Sequence, residues 1–143
     1  CITVPTYTTN TVRDHAHVLG NSGAKAAIVS TQKLARNLVP AVITSSDCHH
    51  LIELDDVRTG QASDDFQAHH WSDMIAGETD IGELKASLAT VGRQNLACLI
   101  YTSGTGGAPR GVMQHHGAIL HNLEGATAII SEDFGWDDEV FLS

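Results

Sequence analysis

Leu99-Ile-Tyr-Thr-Ser-Gly-Thr-Gly-Gly-Ala-Pro-Arg-Gly-Val112 carries three hydroxyls (Thr102, Ser103, Thr105), four glycines (Gly104, Gly106, Gly107, Gly111) and a single cation, Arg110. It directly follows the run Leu96-Ala-Cys-Leu-Ile-Tyr101, which is apolar at successive positions. A run of that kind suits a central strand covered on both faces. The glycines permit positive φ and let backbone N–H groups turn inward, forming a concave nest for an anion. Hydroxyls add donors, and a guanidinium matches a phosphate in a charge-assisted fork. The composition therefore suits a polyphosphate held at the end of an anchored strand. Two other phosphate patterns fail: Gly106 and Gly111 have Walker spacing, but Val112 stands where Lys is needed. Gly104 and Gly106 begin a dinucleotide fingerprint that Pro109 breaks. A plain glycine-rich turn is the alternative that composition leaves open.

Outward from this stretch, short apolar runs alternate with amphipathic segments, the pattern of an α/β layer architecture. Ile2–Pro5 reads as the tail of a strand. Thr11 and Asp14 form a capping-box pattern ahead of a helix with Val12, Ala16 and Leu19 on one face, which Gly20 or Gly23 ends. Ala26–Val29 reads as a buried strand. Thr31 caps a second helix bearing Leu34, Ala35, Leu38 and Val39, with Pro40 expected to end or bend it. Leu51–Leu54 is a further strand. Residues 55–77 read as polar surface loop with a short element near His70–Ile75. Asp80–Val91 predicts a helix with Ile81, Leu84, Leu88 and Val91 on one face. After the glycine-rich loop come a short Val112–Gln114 segment and a last helix. There Ile119, Leu120, Leu123, Ala126, Thr127 and Ile130 form a broad stripe expected to be buried. No repeat or linker divides the chain.

Composition narrows the function. With 143 residues and 42% apolar content the chain can form one core. A net charge of −9 with 8 Lys and Arg leaves no basic stripe for nucleic acid. No run approaches the ~18–20 apolar residues of a membrane span. The acidic pairs Asp55-Asp56, Asp64-Asp65 and Asp137-Asp138 read as solvated turns rather than a magnesium site. Cys1, Cys48 and Cys98 have no CxxC spacing and read as reduced thiols of a cytoplasmic protein. The chain begins at Cys1 and stops within the apolar Phe141-Leu142-Ser143, so both ends are expected to be cut.

Tyr101–Gly111 resembles the phosphate-loop signature of the AMP-binding superfamily, usually [YF]TSG[ST]TGxPKG. Nine of its eleven positions fit. Gly106 replaces a Thr and so removes a hydroxyl donor, whereas Arg110 replaces a Lys and keeps the charge with a different reach. Val4-Pro-Thr-Tyr-Thr-Thr-Asn-Thr11 and Asn21-Ser-Gly-Ala-Lys25 are similar to the early "VPxYxTxT…SGAK" segment. Trp136-Asp-Asp-Glu-Val-Phe-Leu-Ser143 resembles the run-in to the next motif, "LPLxH". Residues 45–92 are only loosely family-like. Within the superfamily these stretches most resemble long-chain fatty acyl-CoA synthetases.

The resemblance implies that residues 1–143 are a piece of the large N-terminal adenylation domain, α/β with a mostly parallel sheet flanked by helices. It implies a ligase of fatty acid and lipid metabolism using ATP, Mg2+ and coenzyme A. The acid would be activated as acyl-AMP and then passed to coenzyme A. By the same resemblance Thr102, Ser103 and Thr105 are hydroxyl donors to the β- and γ-phosphates, Gly104, Gly106, Gly107 and Gly111 supply backbone, and Arg110 supplies charge. No catalytic residue is complete in this stretch, and alone it is expected to be inactive. Alternatives are an adenylation domain for an amino or aryl acid, and a non-catalytic nucleotide-binding module. A cytoplasmic location is expected, membrane-peripheral association of the parent being compatible with it. An incomplete sheet is expected to expose edges and favour dimerisation.

The nine histidines show no zinc-ligand spacing, and no metal site is expected. His115 or His116, at the start of the last helix, either lines the acid or nucleotide pocket or serves as a cap. Trp71 and Trp136 read as packing residues. No Gly-x-Ser-x-Gly is present, so Ser103 is read as a phosphate donor rather than a nucleophile.

Overall fold

A computed structural model describes residues 1–57, 66–102 and 108–133. Thr11 accepts from the Asp14 N–H while Asp14 accepts from the Thr11 N–H, closing the capping box that starts helix α1, Val12–Ser22. Gly23, at φ +65°, ends it in the left-handed conformation that a side chain would strain. The buried face of α1 is His15, Val18 and Leu19. Val12 and Ala16, expected to be inward, are exposed, so the helix is rotated and places a histidine in the core.

Strand β1, Ala26–Val29, leads through helix α2, Gln32–Ile43, to strand β2, His50–Glu53. Thr31 caps α2 by accepting from Leu34 N–H, and Ala35 and Val39 are buried with Leu34 and Leu38 packed around them. Pro40 does not end α2, which continues to Ile43. Pro40 and Arg36 lie on the exposed side, where water can take the carbonyl that loses its donor. Burial of Ala41 and Val42 holds the last turn in place.

The segment read as loop contains a third strand, β3, Gln67–His70, followed by the single turn α3, Trp71–Ile75. β3 pairs in parallel with β2, and β2 with β1, in the order β1-β2-β3. The polar sequence of β3 hides it, because its pairing comes from backbone groups. Ala27, Val29 and Leu51 pack with Leu19, Ala35, Val39, Val42, Cys48 and Phe66 into the core. Burial pushes the Cys48 thiol above its ordinary pKa, which keeps it protonated and inert.

Helix α4, Ile81–Ala89, is capped by Asp80. Strand β4, Leu96–Thr102, and strand β5, Arg110–His115, form an antiparallel pair, and Thr3 adds a parallel bridge to β4 at Cys98. Helix α5, His116–Thr127, follows and passes into a π-helical segment, Ala128–Asp133. The α/β architecture with a parallel sheet and helices is as expected, but the glycine-rich loop sits in an antiparallel hairpin rather than after a strand of that sheet. β4 is half-buried, not covered on both faces; Tyr101 alone in it is fully buried, at 6% exposure. The apolar stripes of α4 and α5 are not buried either. Ile81, Leu84, Leu88 and Val91 are 47–63% exposed, and Ile119, Leu120 and Leu123 are 39–59% exposed. Periodicity makes a stripe; burying it takes a second element, which the described residues do not supply. Trp71, expected to pack, is likewise 44% exposed.

Candidate functional site

The hairpin brings the two arms of the loop together. Thr102 ends β4 and lies directly opposite Arg110, which begins β5. Both are exposed, and among the described residues Arg110 has no ion-pair partner. An opposite pair in an antiparallel ladder has its Cβ atoms about 5 Å apart. The Thr102 and Arg110 side chains thus leave the same face of the hairpin at the loop's mouth. Ser103, Gly104, Thr105, Gly106 and Gly107 lie outside the described residues. Gly111 is opposite Tyr101, and a Cβ on it would sit 3.0 Å from the ring Cζ. Its missing side chain makes room for the tyrosine, a packing role beside the backbone role expected of it.

Tyr101 reaches from the hairpin to α1, its hydroxyl donating to Asn21 Oδ1 at 2.7 Å. Burial raises the pKa of that hydroxyl, so it stays a donor. From the other arm, the Pro109 carbonyl accepts from His17 Nε2–H at 2.7 Å. A carbonyl cannot donate, so Nε2 carries the proton. The His17 ring also meets Tyr101 edge-on, with centroids 6.2 Å apart. Arg13, Asp14, His17, Ala108 and Pro109 line a cavity of about 360 Å3 between α1 and the loop's exit. Thr11 hydrogen bonds hold the Asp14 carboxyl below its ordinary pKa, so an anionic group borders that space. The sequence did not single out His17 or Asn21 for the site. Their spacing of four, one turn apart on α1, was the available signal. What lay 80 and 92 residues away across the fold was not readable from it.

His115 caps α5 by accepting from the Ala118 N–H at 3.0 Å, which selects the capping role for it over a pocket-lining one. Gly117 beside it packs against the Arg93 carbonyl, where a Cβ would be 3.0 Å away. His50 Nδ1 and His69 Nε2 approach to 3.1 Å across β2 and β3. No group of three or more His, Cys, Asp or Glu side chains among the described residues is placed to hold a metal. Asp55 and Asp56 are exposed; Asp64, Asp65, Asp137, Asp138 and Trp136 lie outside the described residues. No helix among the described residues is long and apolar enough to cross a membrane.

Comparison with known proteins bears on the whole chain. It is 23% identical to long-chain-fatty-acid–CoA ligase 1 of Saccharomyces cerevisiae over 87% of its own length and 20% of that protein's. Its fold is similar to that of the luciferase-like enzyme of the nonluminescent mealworm Zophobas morio (TM-score 0.62, 17% identity, 86% of this chain and 26% of that one). It is also similar to the anthranilate CoA ligase AuaEII, solved in complex with anthranoyl-AMP (TM-score 0.59, 18% identity, 90% and 22%). The chain thus spans a fifth to about a quarter of the length of these relatives. The family model of the AMP-binding enzymes matches residues 1–143, and with the glycine-rich hairpin in place this chain belongs to that family.

Proposed function

We propose that this chain is the phosphate-loop portion of an ATP-dependent acid–CoA ligase, with a long-chain fatty acid as the acid. The observation that carries the reading is the hairpin that sets Thr102 opposite Arg110 at the mouth of the glycine-rich loop. That arrangement fits a polyphosphate: a hydroxyl donor and a permanent cation, projecting from one face of the hairpin, would meet the charge that gathers on departing pyrophosphate. In the reaction a carboxylate oxygen bonds to the α-phosphorus of ATP as the bond to the bridging oxygen breaks, releasing pyrophosphate. The coenzyme A sulfur then bonds to the acyl carbon and AMP leaves with the electron pair of the acyl–oxygen bond. Thr102, Ser103, Thr105 and Arg110, with the backbone of Gly104, Gly106, Gly107 and Gly111, would hold the β- and γ-phosphates. Mg2+ would bind with the nucleotide, neutralising phosphate charge.

The fatty acid assignment is supported by the wording of the early segment and by the yeast relative's own activity, as its name gives it. An aryl acid is the second reading, favoured by the fold's similarity to an anthranilate ligase. We further propose that the exposed apolar faces and the sheet edges make the chain associate with itself when isolated. A cytoplasmic protein is part of the same reading. Acid-dependent ATP–pyrophosphate exchange by the full-length protein tests the function across fatty, aryl and amino acids. Exchange with long fatty acids alone supports the first reading, and exchange with aryl acids the second. A folded protein with no exchange for any acid would overturn both.

A further inference from the structure

We propose that α1 is a clamp for the phosphate loop, and that His17 is a positioning residue for the nucleotide through its bond to the Pro109 carbonyl. The proposal rests on the reading of the glycine-rich hairpin as a phosphate site. His17 and Asn21 are four residues apart, one turn of a helix, and therefore share a face. Each binds a different arm of the hairpin: Asn21 takes the entering arm through the Tyr101 hydroxyl, and His17 takes the leaving arm through Pro109. Both bonds measure 2.7 Å. Among the described residues the last pair of the β4–β5 ladder is Thr102–Arg110, and Pro109 is the residue next to it. His17 supplies a donor to that carbonyl from outside the ladder, on α1.

The remaining pieces make the clamp specific. The Tyr101 ring can reach Asn21 because Gly111, across the ladder, has no side chain to lift it. The edge of His17 rests against the same ring, at an interplanar angle of 88°. One turn of α1 therefore ties down the residue before Thr102 and the residue before Arg110. The capping box and Gly23 fix both ends of that helix, so the clamp is mounted on a rigid element. Loosening the leaving arm would let the Arg110 backbone drift away from Thr102, weakening the hold on the phosphates without touching the reacting atoms.

The test uses the full-length protein with His17→Phe, His17→Gln and Asn21→Leu. Phenylalanine keeps a ring against Tyr101 and removes the donor; glutamine places an N–H at about the reach of Nε2. Loss of one ordinary hydrogen bond predicts a rise of about fivefold in KM for ATP in His17→Phe, with kcat changed less. His17→Gln is expected within about twofold of wild type. Amide hydrogen exchange across residues 99–102 and 110–113 is measured in parallel and is expected to speed up in His17→Phe and Asn21→Leu. Wild-type KM and exchange in His17→Phe would overturn the proposal. A defect that glutamine fails to rescue would overturn the hydrogen-bonding role in favour of packing. If the wild-type protein does not use ATP at all, the function reading fails, and amide exchange alone still decides whether the clamp exists.

Discussion

Gly111 and His15 are two residues whose roles come from what surrounds them. A Cβ at position 111 would lie 3.0 Å from Tyr101 Cζ and 3.2 Å from its hydroxyl, against a buried ring that has little room to retreat. Gly111→Ala is therefore expected to destabilise the fold by about 1–3 kcal/mol, as overpacking does. Urea denaturation would measure it, and an unchanged midpoint would refute it. His15 is 7% exposed, and its Nδ1 has no hydrogen-bond partner among the described residues. Burial lowers its pKa from the ordinary 6.5, with the Asp14 charge opposing this more weakly. The unfolded chain then binds the proton more readily than the folded one. Stability is whole above the unfolded value and falls as pH drops through 6.5 toward the lower folded value. Denaturation midpoints taken from about pH 8 to pH 5 should show this decline, and His15→Leu should flatten it. An equally steep decline in the variant would assign it to another group.

At the level of elements, α1 matters most, because it joins the core to the loop. Its capping box is visible in sequence and present in the fold, with Thr11 Oγ1 also donating to Asp14 at 2.7 Å. Thr11→Ala is expected to cost about 1 kcal/mol in overall stability and to raise amide exchange in the first turn of α1. The Asp14 carboxyl, its pKa depressed by those bonds, contributes stability that is present above the unfolded value of 3.8 and lost as pH falls through the folded one. Acid titration should therefore narrow the gap between wild type and Thr11→Ala as pH falls below 3.8. A constant gap would mean that the cap acts without the carboxylate. The hairpin shows the limit of local reading. Leu96–Tyr101 announces a strand, but its antiparallel partner β5 begins with Arg110 and Gly111, residues that local pattern assigned to the loop. Cross-strand pairing is a long-range property, and strand propensity does not report it.

At the scale of the whole chain, the described residues form one packed layer and leave several apolar faces open. The core lies on the side of the parallel sheet that α2 covers, while Ile28, Leu84, Leu88, Leu123 and Met113 are exposed. Exposed apolar surface of this kind favours association. The isolated chain is expected to sediment faster as its concentration rises, more so in high salt, where its charge of −9 is screened. Replacing Leu84 and Leu88 with Glu should reduce the effect; a compact monomer at every concentration would refute it. The sequence by itself determined the α/β alternation, the cap at Thr11, the strand at Ala26–Val29 and the membership carried by Tyr101–Gly111. These are local matters of backbone conformation, helical period and an ordered string of side chains. Only the tertiary structure decided that His15 turns inward, that α2 runs through Pro40 on a solvent-facing side, and that polar Gln67–His70 is a strand. It also decided that His17 and Asn21 meet a loop 80 to 92 residues away. Burial and pairing depend on which distant segments come together, and no residue carries that information alone.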